Sequence, residues 1–92
     1  MKYTELIPGK IYHAQAKGEP YYWLLNIAKI QSNGNIFTNG SITNSRDCYA
    51  TLGACFTDRG QDYKYQEAND FEKRWLETCT KAGKFIPKQE II

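Results

Sequence analysis

The chain is poor in the residues from which catalytic and metal sites are most often built. It has one histidine, His13, and three cysteines, Cys48, Cys55 and Cys79, with no CxxC pair. Structural zinc needs Cys or His ligands at recognisable spacing, and these are scattered, so neither a metal nor any other cofactor is expected. An odd cysteine count prevents full pairing within one chain and argues for reduced thiols in a cytosol rather than a disulfide framework. Cys48 and Cys55 can still pair if they face each other across a hairpin. Gly-rich phosphate loops are missing: Gly34, Gly40, Gly53 and Gly60 sit in turn-like contexts and match neither a P-loop nor a dinucleotide fingerprint. No apolar stretch follows Met1-Lys2-Tyr3-Thr4-Glu5, and no apolar run approaches the roughly 18 residues of a membrane span. A cytoplasmic protein without a membrane partner is the expectation. Neither sign of charge dominates, since the net charge is +2 and the pI about 8.4, short of the strongly basic value of a dedicated duplex-DNA binder. Residues 30–45 carry no charge at all.

What is present is a single domain's worth of apolar and aromatic payload in 92 residues. A chain of this size buries about 60–65% of the surface its unfolded form exposes. Leu6-Ile7-Pro8-Gly9-Lys10 reads as a turn. Residues 10–16 then alternate as a first strand, with Ile11 and His13 on one face and Tyr12 and Ala14 on the other. Lys17-Gly18-Glu19-Pro20 breaks it. Residues 21–30 form the strongest strand and, being apolar on both faces at the start, a central one. Ser32-Asn33-Gly34-Asn35 makes a hairpin. Ile36-Phe37-Thr38 returns, Asn39-Gly40 turns again by the same chemistry, and Ser41-Ile42-Thr43 completes a meander. Cys48-Tyr49-Ala50-Thr51-Leu52 suits a strand or a short helical turn. Cys55-Phe56-Thr57 is extended, Asp58-Arg59-Gly60-Gln61 turns, and residues 62–66 return with Tyr63 and Tyr65 on one face.

The spacing predicts a helix over 70–82. Asn69 is placed to cap it, with Glu72 as the reciprocal partner. Phe71, Trp75, Cys79 and Ala82, flanked by Leu76, make one apolar stripe. Asp70–Arg74 and Glu77–Lys81 stand one turn apart, acid before base. Gly83 stops the helix, Phe85 and Ile86 fold back on the core, and 88–92 is a loose tail. The fold expected is α+β: a curled antiparallel sheet of roughly four to six strands, antiparallel because the connections are of hairpin length, with the one C-terminal helix packed across it.

Chemistry has few places to reside. A thiol catalyst needs a base within reach of its sulfur, and His13 is distant in sequence from every cysteine. Cys79 lies on the apolar stripe, as a buried structural thiol does. The aromatic strand residues carry more information. Rings presented from a small sheet stack bases, line shallow pockets or anchor interfaces, although most fill the core. Because strand side chains alternate, Tyr22 and Trp23 point to opposite faces, and one member of Tyr21-Tyr22-Trp23 is left exposed unless the helix covers it. The candidate ligand- or partner-binding residues are Tyr21, Tyr22, Trp23, Tyr49 and Tyr63, with Asn35, Phe37 and Asn39 from the uncharged meander.

Two segments carry resemblances. Ile7-Pro8-Gly9-Lys10-Ile11-Tyr12, with the Trp-bearing strand and two tight hairpins after it, looks like the beginning of a small SH3-like barrel, which implies a partly barrel-shaped sheet. Tyr65-Gln66-Glu67-Ala68-Asn69-Asp70-Phe71-Glu72-Lys73-Arg74-Trp75-Leu76-Glu77-Thr78-Cys79, continued through Lys81-Ala82-Gly83-Lys84-Phe85-Ile86-Pro87, is similar to the endings of small proteins carried by phages and prophages of gut bacteria. That resemblance implies a bacterial host cytoplasm and action by binding, including inhibition or sequestration of host factors. The function expected is a non-enzymatic binding protein for a host protein or a small polar ligand such as a nucleotide. The alternatives are a nucleic-acid-binding module using the aromatics with Lys10, Lys17, Lys29 and Arg46, and a Cys-dependent enzyme. An uncharged sheet edge also leaves a homo-oligomer open.

Overall fold

Pro8 and Gly9 turn the chain into its first strand, and Asn33 and Gly34 reverse it after the second, Gly34 adopting the positive φ (+92°) that a tight reversal requires. The computed structural model describes residues 1–44, 49–51, 55–58, 60 and 62–91, with backbone alone at 49–51. In chain order the elements are a 3-10 turn at Tyr3–Glu5, β1 (Ile11–Ala16), β2 (Tyr22–Ile30), β3 (Asn35–Thr43), β4 (Tyr49–Thr51), β5 (Cys55–Thr57), β6 (Tyr63–Glu67), the helix α1 (Asp70–Ala82) and a 3-10 turn at Lys88–Glu90. Every pairing is antiparallel. Strands lie in the order β4-β3-β2-β1-β6, and β5 pairs with the first half of β3. The α+β arrangement is the one expected, and residues 49–51 resolve as strand. Among the described residues no helix is long and apolar enough to cross a membrane.

The sheet is curled. β5 hangs on β3 and β6 on β1, two strands apart, yet the rings of Phe56 and Tyr63 lie 4.6 Å apart. No ladder joins β5 to β6 among the described residues, so the curl stays open. Its inner face gathers Leu6, Tyr12, Ala14, Leu25, Ile27, Ile36, Phe56 and Tyr65. The outer face carries a second core of Ile11, Leu24 and Ile42 under Trp75, Leu76 and Cys79 of α1. β2 feeds both cores by alternation, as its central position demands.

The second hairpin expected at Asn39-Gly40 does not exist. β3 runs straight through both residues. Against β2, Asn26 faces Gly40 and Ile27 faces Thr38, which leaves Asn39 unpaired; Lys29 then faces Phe37, which leaves Ala28 unpaired. These are compensating β-bulges, and each flips the alternation of its strand. Ile36 and Ile42, an even number of residues apart, therefore enter opposite cores, and Ile27 and Ile30 enter the same one. Gly40 is needed for a different reason from a turn. A Cβ built on it would lie 2.6 Å from Thr80 Oγ1 on α1, and that hydroxyl is itself pinned by donating to the Leu76 carbonyl at 2.8 Å.

The helix begins as its sequence indicates. Asn69 Oδ1 accepts from Glu72 N at 2.8 Å, and Asn69 N donates to Glu72 Oε1 at 3.0 Å. The other oxygen, Glu72 Oε2, accepts from His13 Nδ1 of β1 at 2.6 Å. Trp75, Leu76 and Cys79 are buried, while Ala82, expected on the apolar stripe, is exposed. Neither Asp70–Arg74 nor Glu77–Lys81 closes as an ion pair among the described residues; Lys73 reaches back to Glu67 at 3.9 Å instead. Exposed pairs gain too little to hold two long side chains in place. The 85–86 segment does return to the core, with Trp75 Nε1 donating to the Ile86 carbonyl at 2.7 Å. The tail is less loose than expected: Lys88–Glu90 forms its 3-10 turn, Lys88 Nζ lies 5.7 Å from the centre of the Phe71 ring, and Ile91 packs on the outer core.

Gly40→Ala is expected to destabilise the fold by about 1–3 kcal/mol through overpacking. Adding Thr80→Ala, which removes the clashing hydroxyl, should restore most of that loss in urea unfolding.

Candidate ligand-binding site

The open end of the curl is organised by one buried carboxylate. Asp58 leaves β5 with its backbone N donating to the Gly34 carbonyl at 2.9 Å. Its side chain is 1% exposed. Oδ1 accepts from Asp62 N at 2.9 Å, and Oδ2 accepts from the Tyr65 hydroxyl at 2.6 Å. Burying a carboxylate is tolerable only with such partners. Burial, and then the adjoining Asp58, push the Tyr65 phenol far above its usual range. Lys17 N donates to the Asp62 carbonyl at 3.0 Å, which fastens Asp62 to the end of β1.

The N-terminal 3-10 turn meets this end. Tyr3 packs on the inner core and its hydroxyl donates to the Ser32 carbonyl at 2.8 Å. Between this turn and β6 lies a cavity of about 390 Å³ lined by Tyr3, Tyr63, Tyr65, Lys2, Lys17 and Lys64, with Met1, Glu5 and Asp58 beside them. Its size is at the lower end of the roughly 300–1,000 Å³ of small-molecule sites. Lys10 and Lys73 are both engaged by Glu67, at 3.7 and 3.9 Å. Lys2, Lys17 and Lys64 have no ion-pair partner among the described residues. Glu5 Oε1 accepts from Lys2 N at 2.8 Å. Burial, and then the neighbouring Tyr21 hydroxyl, push the Tyr63 phenol up to about 12.

Of the aromatics singled out in the sequence, Tyr63 lines this cavity; Tyr21 adjoins it outside the lining, and Trp23 reaches it through Phe56, at 5.7 Å edge-on. Tyr22 belongs to the other face, packed on the outer core and stacked on His13 at 4.4 Å. None of Tyr21, Tyr22 and Trp23 is fully exposed, because the curl covers one face and the helix the other. Asn35, Phe37 and Asn39 are strung along β3: Asn35 accepts from the Thr57 hydroxyl at 3.3 Å, Phe37 is half-buried, and Asn39 is exposed at its bulge. Tyr49 pairs with Thr43 by its backbone; its side chain, Arg46 and Cys48 lie outside the described residues. Sequence reasoning missed Tyr3, Lys2 and Lys64 as site residues and took Asp58 for a plain turn residue. The Tyr63/Tyr65 alternation was the signal that could have led to them.

The thiols are placed differently. Burial pushes the Cys79 thiol up, against a small lowering from the Ile86 backbone; its Sγ accepts from Ile86 N at 3.3 Å. Cys55 is free and exposed. The ring of His13 is held by Glu72 and Tyr22. Among the described residues no group of three or more His, Cys, Asp and Glu side chains converges. Lys10 and Lys17 stand at opposite ends of β1.

Asp58→Ala strands the Tyr65 hydroxyl and is expected to cost about 2–3 kcal/mol in urea unfolding. Tyr65→Phe should add little on top of it, since both remove one interaction. Alkali gives a further test. Tyr63 keeps its proton to about pH 12 in the folded chain and loses it near 10.0 when unfolded. Its stabilising contribution is therefore complete below pH 10.0 and is lost as pH rises toward about 12. A phenolate absorbance titration should show a late-ionising class that coincides with unfolding, and Tyr63→Phe should raise the pH at which unfolding begins.

No family model matches the chain, and no curated protein or solved structure matches it, so the reading of the site rests on its own geometry.

Proposed function

We propose that the chain is a non-catalytic binding protein that takes a small anionic ligand bearing a planar ring into the tyrosine–lysine cavity. The observation that carries this is the set of lysines, Lys2, Lys17 and Lys64, that line a cavity of about 390 Å³ without an ion-pair partner among the described residues. Cations held near one another repel, and a bound anion relieves that repulsion while gaining charge-assisted hydrogen bonds worth about 1.5–3 kcal/mol each. Tyr3 and Tyr63 add ring surface of the kind on which bases stack. The buried Asp58 holds the floor rigid, so little ordering is left for the ligand to induce.

Sequestration fits such a site better than turnover. The thiol of Cys79 is committed to Ile86, and the imidazole of His13 to Glu72. In the bacterial cytoplasm that the C-terminal resemblance implies, a protein of this kind acts by withdrawing a signalling nucleotide or by blocking a host factor.

Native mass spectrometry of the purified chain is expected to reveal a co-purifying small anion. In calorimetric titration with AMP as probe, Lys17→Ala with Lys64→Ala should weaken binding at least about tenfold, roughly 1.4 kcal/mol. Added salt should weaken it further. Lys29→Ala, outside the cavity, should leave affinity unchanged. Equal loss in Lys29→Ala and in the double variant, or no binding of AMP at low salt, would count against the cavity.

A further inference from the structure

We propose that the ligand straddles β6, with two planar groups in two cavities and an anionic bridge between them at Lys64, as in a dinucleotide. This rests on the reading above of the tyrosine–lysine cavity. β6 is the last strand of the sheet path. A second cavity of about 400 Å³ is lined by His13, Gln15 and Gln66, and it shares Met1, Lys64 and Tyr65 with the first. Lys64 faces Gln15 across the ladder, and Tyr63 and Tyr65 alternate with it toward the inner face. The lysine thus stands where the two volumes meet. Its long stem carries a point charge that serves an anion from either side.

The two halves offer different chemistry. The first presents phenols and lysines. The second presents amide and imidazole groups, two of them held by internal hydrogen bonds. Gln15 donates through its amide nitrogen to the carbonyls of Glu19 and Tyr21, both at 2.9 Å, which leaves Oε1 to accept. His13 donates from Nδ1 to Glu72 Oε2 at 2.6 Å, and its ring is stacked on Tyr22 at 4.4 Å. With Nδ1 taken by Glu72, Nε2 is the ring nitrogen left for a ligand. Gln66 is exposed and adds both a donor and an acceptor. An amino-bearing heterocycle such as adenine, with its exocyclic N–H donors, matches that set. The arrangement is held by the protein's own hydrogen bonds, so it does not have to be organised by the ligand.

The test compares AMP with the dinucleoside monophosphate ApA by calorimetry at one low salt concentration. ApA carries less phosphate charge than AMP, so charge alone favours the mononucleotide. ApA is nevertheless expected to bind at least about tenfold more tightly, the gain of one further seated base. Lys64→Ala should weaken both probes. Gln66→Ala, an exposed substitution that breaks no internal bond, should reduce ApA to the affinity of AMP and leave AMP unchanged. AMP binding with ApA no tighter, or ApA indifferent to Gln66→Ala, overturns the two-cavity proposal and leaves the first cavity standing. If neither probe binds, both readings fall.

Discussion

Keeping both faces of one small sheet dry is the constraint on which the rest of this structure depends. β2 sends Leu24 to one side and Leu25 and Ile27 to the other, and all three are fully buried. A flat sheet of this size would need a separate layer on each face. Here the sheet covers its own inner face by curling until β5 and β6 approach, and one helix covers the outer face. The bulges at Ala28 and Asn39 let this happen. They add local twist, and they also transfer the far half of the β2–β3 hairpin from serving one core to serving the other.

The same curl produces the site. Asp58 and Tyr65 are neighbours in space because β5 and β6 approach across the opening, and the carboxylate between them fixes that approach. Lysines that are unremarkable in sequence, one before β1, one after it and one on β6, then come to surround a common volume. Of the cations beyond it, Lys10 and Lys73 share the carboxylate of Glu67. Any attraction that the cavity lysines exert is short-ranged, because solvent ions screen it over about 8–10 Å.

Elements set by neighbouring residues were legible in the sequence. The Asn69/Glu72 spacing, the stop at Gly83, the central position of β2 and the Tyr63/Tyr65 alternation all declare themselves within a few positions. Asn39-Gly40 misled because the dipeptide that favours a tight turn also suits a bulge beside a close helix. Only Thr80, forty residues on, decides between them. The site was legible by half for the same reason. Tyr63 stood out as a strand aromatic, whereas Lys2, Tyr3 and Lys64 become neighbours through tertiary curvature, which no local pattern encodes. Asp58 looked like an ordinary turn residue because its burial depends on a tyrosine from the next strand.

Glu72 divides its carboxylate between two tasks. One oxygen closes the first turn of α1 onto Asn69, and the other grips His13 on β1. A helix of 13 residues is marginal in isolation, so its nucleation draws on whatever steadies that first turn. Here the group that starts the helix is also the group that moors it, and winding and landing become one cooperative step in the formation of the native state.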